Sequence, residues 1–211
     1  KNNRKIVSSL TNRRIGYIHI PDMSTNGIAE FHRGYLNQVD LEGLIIDVRY
    51  NAGGMVSPLI LEKLTHRHLG YDVPRWGKPE SYPYHTLRGH IVMIANQFTG
   101  SDGDMFTESF RQLNLGTIVG KRTWGGVIGI DGRYQLVDGT TTTQPQYSIL
   151  FHHSGWSIEN QGVAPDIEVE DSPQSFKKKE DLQLIKAVDE ILRLLEEKPI
   201  SSISFLPPPK K

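Results

Sequence analysis

Two apolar stretches of this chain each run into a polar, glycine-bearing turn and then resume at helical spacing. Residues 41–48 (LEGLIIDV) lead through Arg49-Tyr-Asn-Ala-Gly-Gly54 to Val56, Leu59, Ile60 and Leu64 on one helical face. Residues 91–95 (IVMIA) lead through a polar turn and Ser101-Asp102-Gly103-Asp104 to Met105, Phe106, Phe110 and Leu113. Short apolar runs without polar alternation are the pattern of strands covered on both faces, and a strand that turns into a helix is half of a parallel crossover. The pattern predicts an α/β chain. In open α/β sheets the carboxyl ends of the strands line the ligand crevice, so two such ends side by side put glycine amides next to a serine.

Ser101 stands between a strand end and a helix start, near backbone N–H groups that have no helical partner. Those donors can stabilise an oxyanion, and the position suits the nucleophile of an acyl transfer. Taken alone, Gly100-Ser-Asp-Gly103 reads instead as ordinary turn chemistry, with a serine or aspartate capping the helix.

Residues 14–20 form a short strand stopped by Pro21-Asp22, and Ile28, Phe31, Tyr35, Leu36 and Val39 mark a helix over residues 28–39. The helix after the first glycine turn is expected over residues 55–69. Residues 70–90, rich in Pro, Gly, Tyr and Trp, read as a surface loop of a length uncommon without a function. Residues 116–130 read as strand, turn and strand, and the segments around 134–137 and 147–151 alternate as β-structure. Residues 183–195 make an amphipathic helix, with Leu184, Ile185, Val188, Ile191, Leu192 and Leu195 on its apolar side. The expected division is a polar, basic lead-in at 1–14, a core domain at 15–199 and a mobile Pro/Lys tail at 200–211.

A chain of 211 residues can bury one sizeable core. Its 24 basic and 24 acidic side chains balance, which leaves no electrostatic footprint for nucleic acid or for an anionic membrane. Without cysteine there is no disulfide framework and no thiolate metal site, as suits a reducing compartment. No apolar run approaches a membrane span. The chain opens on Lys1 rather than methionine, the pattern of a processed product or an excised domain.

Five stretches, in order, carry a family resemblance. They are Gly16-Tyr-Ile-His-Ile-Pro-Asp-Met23, Leu44-Ile-Ile-Asp-Val-Arg-Tyr-Asn-Ala-Gly-Gly54, Gly100-Ser-Asp-Gly-Asp104, Gly120-Lys-Arg-Thr-Trp-Gly-Gly126 and Ile158-Glu-Asn-Gln-Gly-Val-Ala-Pro-Asp166. Together they resemble the C-terminal catalytic domain of tricorn-type serine peptidases, in the tail-specific (carboxyl-terminal processing) peptidase clan. The resemblance implies a crotonase/Clp-protease-like fold, a mixed α/β sheet with flanking helices. It implies Ser101 as nucleophile, and an oxyanion hole made by the N–H of Asp102 and that of a glycine in residues 51–54, Gly54 being favoured over Gly53. Glu159 matches the acidic member of the catalytic relay, which supports a general-base histidine through a second serine; by residues alone it reads as a solvated carboxylate before a turn. Asp72 is the candidate for an acidic group that accepts Arg or Lys before the scissile bond, supplied from a neighbouring subunit's loop; otherwise it is a plain surface turn.

The same resemblance places the histidine base in a helical segment ahead of a PDZ-like domain, both N-terminal to this chain. None of the eight histidines sits in a matching motif. His152 and His153 precede Glu159, but neighbours in a strand point to opposite faces, and both are expected to be surface or structural residues. The partners implied are peptide substrates, the PDZ-like and histidine-bearing domains, and further copies in a homo-oligomer in the cytoplasm. No cofactor and no metal are expected. The alternative is a peptide-binding or scaffolding module with a retired site. Nucleotide binding at residues 51–54 or 123–126 lacks either phosphate-loop pattern, and His66-Arg67-His68 does not present two ligands on one helical face.

Overall fold

The computed structural model describes residues 2–200. In chain order the elements begin with α1 (Asn2–Leu10), β1 (Ile15–His19), α2 (Thr25–Leu36), β2 (Gly43–Asp47), α3 (Ser57–Thr65), β3 (Gly70–Asp72) and β4 (Glu80–Tyr82). Then come β5 (His90–Ala95), α4 (Asp102–Gln112), β6 (Thr117–Gly120), β7 (Gly129–Gln135) and β8 (Thr141–Tyr147). The last are β9 (Ile167–Glu168), α5 (Pro173–Lys178) and α6 (Leu182–Glu197).

The main sheet has the order β1-β2-β5-β6-β9, and every pairing in it is parallel. Among the described residues, antiparallel strand pairing forms two separate hairpins, β3–β4 and β7–β8, and an isolated antiparallel bridge joins Phe151 and Gly155. One face of the sheet packs Ile18, Leu44, Ile46 and Met93 against Phe31 and Tyr35 of α2, Ile60 of α3, and Phe106 and Phe110 of α4. The other packs Tyr17, Ile45, Val92 and Ile94 against Val7 of α1 and Leu184, Val188 and Ile191 of α6. Successive residues of β2 thus enter different cores, which is why the run shows no polar alternation.

Ile191 is fully buried, and a side-chain carbon placed on Gly43 would lie 2.7 Å from its Cδ1. The helix therefore sits as close to β2 as a glycine allows. Ile191→Ala should cost about 2–5 kcal/mol of unfolding free energy, read as a lower urea midpoint at unchanged slope. A cost below about 1 kcal/mol would contradict this packing.

Several expectations are revised. Residues 2–10, read as a polar lead-in without an element, form α1. Its Val7 is fully buried, and a stripe that narrow leaves little hydrophobic period to detect. The helix expected over 55–69 runs only from Ser57 to Thr65, because the N–H groups of Met55 and Val56 are held by the Met23 carbonyl and Pro58 suits a first turn. His66 and His68 therefore lie beyond its end. The expected 70–90 loop contains the β3–β4 hairpin. The strand around 147–151 stops at Tyr147, and His152 and His153 occupy an exposed turn rather than a strand. The tail at 201–211 lies outside the described residues. No described helix is long and apolar enough to cross a membrane.

One buried ionic network had no signal in the sequence. Arg49, just past β2, donates to both oxygens of Asp47 and to both oxygens of Asp181, the N-cap of α6. Asp47 also accepts from the Tyr17 hydroxyl at 2.7 Å. Burial lowers the Arg49 pKa, but the hydrogen bonds and charges of the two aspartates outweigh it and the net shift is upward. Burial, then the Asp47 charge, likewise raises that of Tyr17.

Candidate active site

The segments that leave β2 and β5 are bonded to each other just past the strand ends. Asn96 Oδ1 accepts from Tyr50 N–H at 3.1 Å, Thr99 Oγ1 donates to the Val48 carbonyl at 2.8 Å, and Gly100 N–H donates to the Asn51 carbonyl at 2.8 Å. Asn51, fully buried, also donates from Nδ2 to the Ile20 carbonyl at 3.0 Å. Two loops fixed in this way leave little freedom to the residue that follows.

That residue is Ser101, half-buried, with φ 55° and ψ −121°. Positive φ on a residue with a Cβ is strained and persists only where its surroundings impose it. Ser101 occupies the N-cap position of α4, yet its side chain makes no capping hydrogen bond, and no described residue bonds its Oγ. The hydroxyl is thus not spent on capping.

Gly53 has φ +95°, and a Cβ there would lie 2.6 Å from Ser101 Cβ and 2.9 Å from Asp102 N. Only glycine permits the two loops to approach this closely. Its N–H is taken by Asn51 Oδ1 at 2.9 Å. Gly54 has φ +148° and forms a parallel bridge with Met23. Among the described residues neither the Gly54 N–H nor the Asp102 N–H has an acceptor, so one free amide stands in each of the two loops that meet at Ser101.

Glu159 reaches the same layer through the loop after β6. Its Oε2 accepts from the N–H groups of Val127 at 2.7 Å and Ile128 at 3.0 Å. Asp104, fully buried on the first turn of α4, accepts from Gly125 N–H at 2.9 Å, which ties the serine helix to that loop. Burial pushes the Asp104 carboxyl above the usual carboxylate range; backbone N–H groups of Gly125 and Ser101 oppose the rise, and the Glu159 charge adds to it.

Trp124 was not singled out from the sequence. Its N–H donates to the Thr99 carbonyl at 2.8 Å, and its indole lies over Gly100 and Gly126, where a Cβ would come within 2.7 and 2.3 Å of the ring. Trp124 is 66% exposed, over the glycine that precedes Ser101. The signal was available as glycines flanking a tryptophan, but which ring they make room for is a tertiary fact.

The structure does not join every predicted residue to this layer. Asp72 ends β3, exposed, on the separate hairpin; it bonds Tyr84, raising the pKa of that phenol, and no described hydrogen bond links it to Ser101. Among the described residues no histidine bonds Ser101: His19 meets the Arg49 carbonyl and His90 the Lys198 carbonyl. No described group of three His, Cys, Asp or Glu residues could hold a metal ion.

A parallel sheet whose strand ends hold a strained serine beside two amides that have no acceptor among the described residues defines an α/β domain with its chemistry at the carboxyl edge of the sheet. Residues 14–169 match peptidase family S41, and the chain belongs to that family. It is 50% identical over 195 residues to the Tricorn protease of Thermoplasma volcanium, covering 92% of this chain and 19% of that protein. It is 47% identical to Tricorn protease homolog 1 of Streptomyces coelicolor, covering 97% of this chain and 19% of the relative. The crystal structure of the tricorn protease superposes with a TM-score of 0.89 at 46% identity, over 93% of this chain and 19% of that one. The chain thus spans 19% of the length of these relatives.

Proposed function

We propose that this chain is the nucleophile-bearing core of a tricorn-type serine endopeptidase. The observation that carries the reading is Ser101, forced to positive φ with its hydroxyl free, where the loops bearing the unpaired Gly54 and Asp102 amides meet. Ser101 Oγ attacks the peptide carbonyl while a histidine outside residues 1–211 takes its proton. The oxyanion accepts from Gly54 and Asp102 N–H, which are held before reaction and so cost no reorganisation. Of the two glycines, Gly54 is supported because Asn51 already occupies the Gly53 N–H. The tetrahedral adduct collapses to an acyl-enzyme, the histidine protonates the departing amine, and water completes hydrolysis. Glu159, pinned by two backbone donors, supports the relay that orients the histidine.

The relatives' greater length supports a histidine supplied by another segment, with a PDZ-like domain between. That these relatives are proteases supports peptide substrates; a homo-oligomeric parent belongs to the same reading, and the absence of cysteine suits a cytoplasmic one. Asp72 is exposed and unattached to its own Ser101 layer, as befits a group that reaches a neighbouring subunit's crevice and prefers Arg or Lys there. Residues 15–199 form the catalytic core in this reading.

A fluorophosphonate probe, which labels activated serine hydroxyls, should modify the peptide that carries Ser101 in the protein of natural length. Labelling elsewhere, or none in a folded sample, would overturn the proposal.

A further inference from the structure

In the site described above, Asp102 is used only for its backbone N–H, so that role places no demand on its side chain. Yet the carboxylate is 1% exposed and fully engaged. Its Oδ2 accepts from Ser57 N–H at 3.0 Å, and its Oδ1 accepts from the Ser57 hydroxyl. Ser57, itself 4% exposed, is the first residue of α3. The N-cap of that helix is Val56, which has no side-chain acceptor to offer. Asp102 does that work from the start of α4, so one carboxylate sits between two helix N-termini, where negative charge is favoured.

The clamp also joins the two segments that meet at Ser101. Gly54 is joined to Ser57 through Met55 and Val56, whose N–H groups are both fixed on the Met23 carbonyl at 2.7 and 3.1 Å. The segment from Gly54 to Ser57 is therefore rigid, and the Ser57–Asp102 contact ties it to the other amide. Released, the carboxylate could turn toward N–H groups at its own helix start, and its charge would oppose an oxyanion bound there.

We propose that Ser57 is a positioning residue for peptide hydrolysis: by holding the Asp102 carboxylate it fixes the spacing of the Gly54 and Asp102 N–H groups and keeps the carboxylate away from the oxyanion. This rests on the peptidase reading. Removing an oxyanion donor outright costs about 10²–10³ in kcat, and displacing two donors relative to each other should cost about 10- to 100-fold.

The test uses the protein of natural length with Ser57→Ala, Ser57→Thr and Asp102→Asn, and Ser101→Ala as reference. Ser57→Ala should lower kcat by that factor with KM within about 3-fold, because bound substrate does not use the hole fully until the carbonyl becomes tetrahedral. Ser57→Thr keeps the hydroxyl and should stay within about 3-fold of wild type, while Asp102→Asn should fall between them. A peptide aldehyde, which forms a tetrahedral adduct, should lose affinity in parallel with kcat, whereas a peptide with a reduced scissile bond should bind unchanged. Unchanged kcat in a folded Ser57→Ala protein, equal loss of both ligands, or equal loss in Ser57→Thr would overturn the assignment. Cleavage that survives Ser101→Ala would instead overturn the peptidase reading itself.

Discussion

In the protein of natural length, Ser101→Ala is expected to lower kcat/KM for peptide cleavage by about 10⁴-fold or more, with KM little changed. The alanine keeps the backbone that shapes the crevice, so substrate still binds and the two amides still face the carbonyl. Under the proposed roles, what is lost is the covalent step, and with it the use of the histidine, since nucleophile and base act as a unit. Fluorogenic peptides with Arg, Lys or Leu before the scissile bond would measure it. Residues 1–211 alone, tested beside them, should be nearly inert, because among the described residues no histidine bonds Ser101. Cleavage retained by Ser101→Ala, or strong cleavage by residues 1–211 alone, would refute the assignment of roles.

Arg49→Met should lower the unfolding free energy by about 3–5 kcal/mol, the usual cost of removing one partner from a buried ionic cluster. The guanidinium bonds Asp47 and Asp181 at once, and its side chain is only 10% exposed. Methionine fills part of the volume but leaves two carboxylates facing each other without a cation. It also frees the N-cap of α6, whose apolar side forms much of one core. Urea unfolding would read the change. Adding Asp47→Asn to Arg49→Met should restore part of the loss, since it removes the repulsion. A loss below about 1 kcal/mol would mean that solvent reaches the cluster and screens it.

The strands and helices that place the site were legible because they bury apolar side chains on regular periods. Residues 91–95 and 41–48 could scarcely be anything but covered strands, and 183–195 carries an uninterrupted apolar face. α1 escaped because Val7 alone reaches full burial there. The β3–β4 hairpin escaped because its strands are three residues each, too short for alternation to register. His152 and His153 were read on a strand because the β-like residues before them continue past Tyr147, where pairing stops.

By itself the sequence determined the order of strand, glycine turn and helix, the serine that opens α4, and the family to which the five matching stretches belong. It could do so because periodicity and turn chemistry act between near neighbours. Tertiary structure alone decided that the Ser101 hydroxyl caps nothing, that the Gly54 amide comes to stand beside that of Asp102, and that the Asp102 carboxylate caps the helix begun at Ser57. It likewise decided that Arg49 reaches Asp181 at the start of α6. Each of these depends on which loop approaches which, and residues far apart in the chain leave no periodic trace of the hydrogen bond they share.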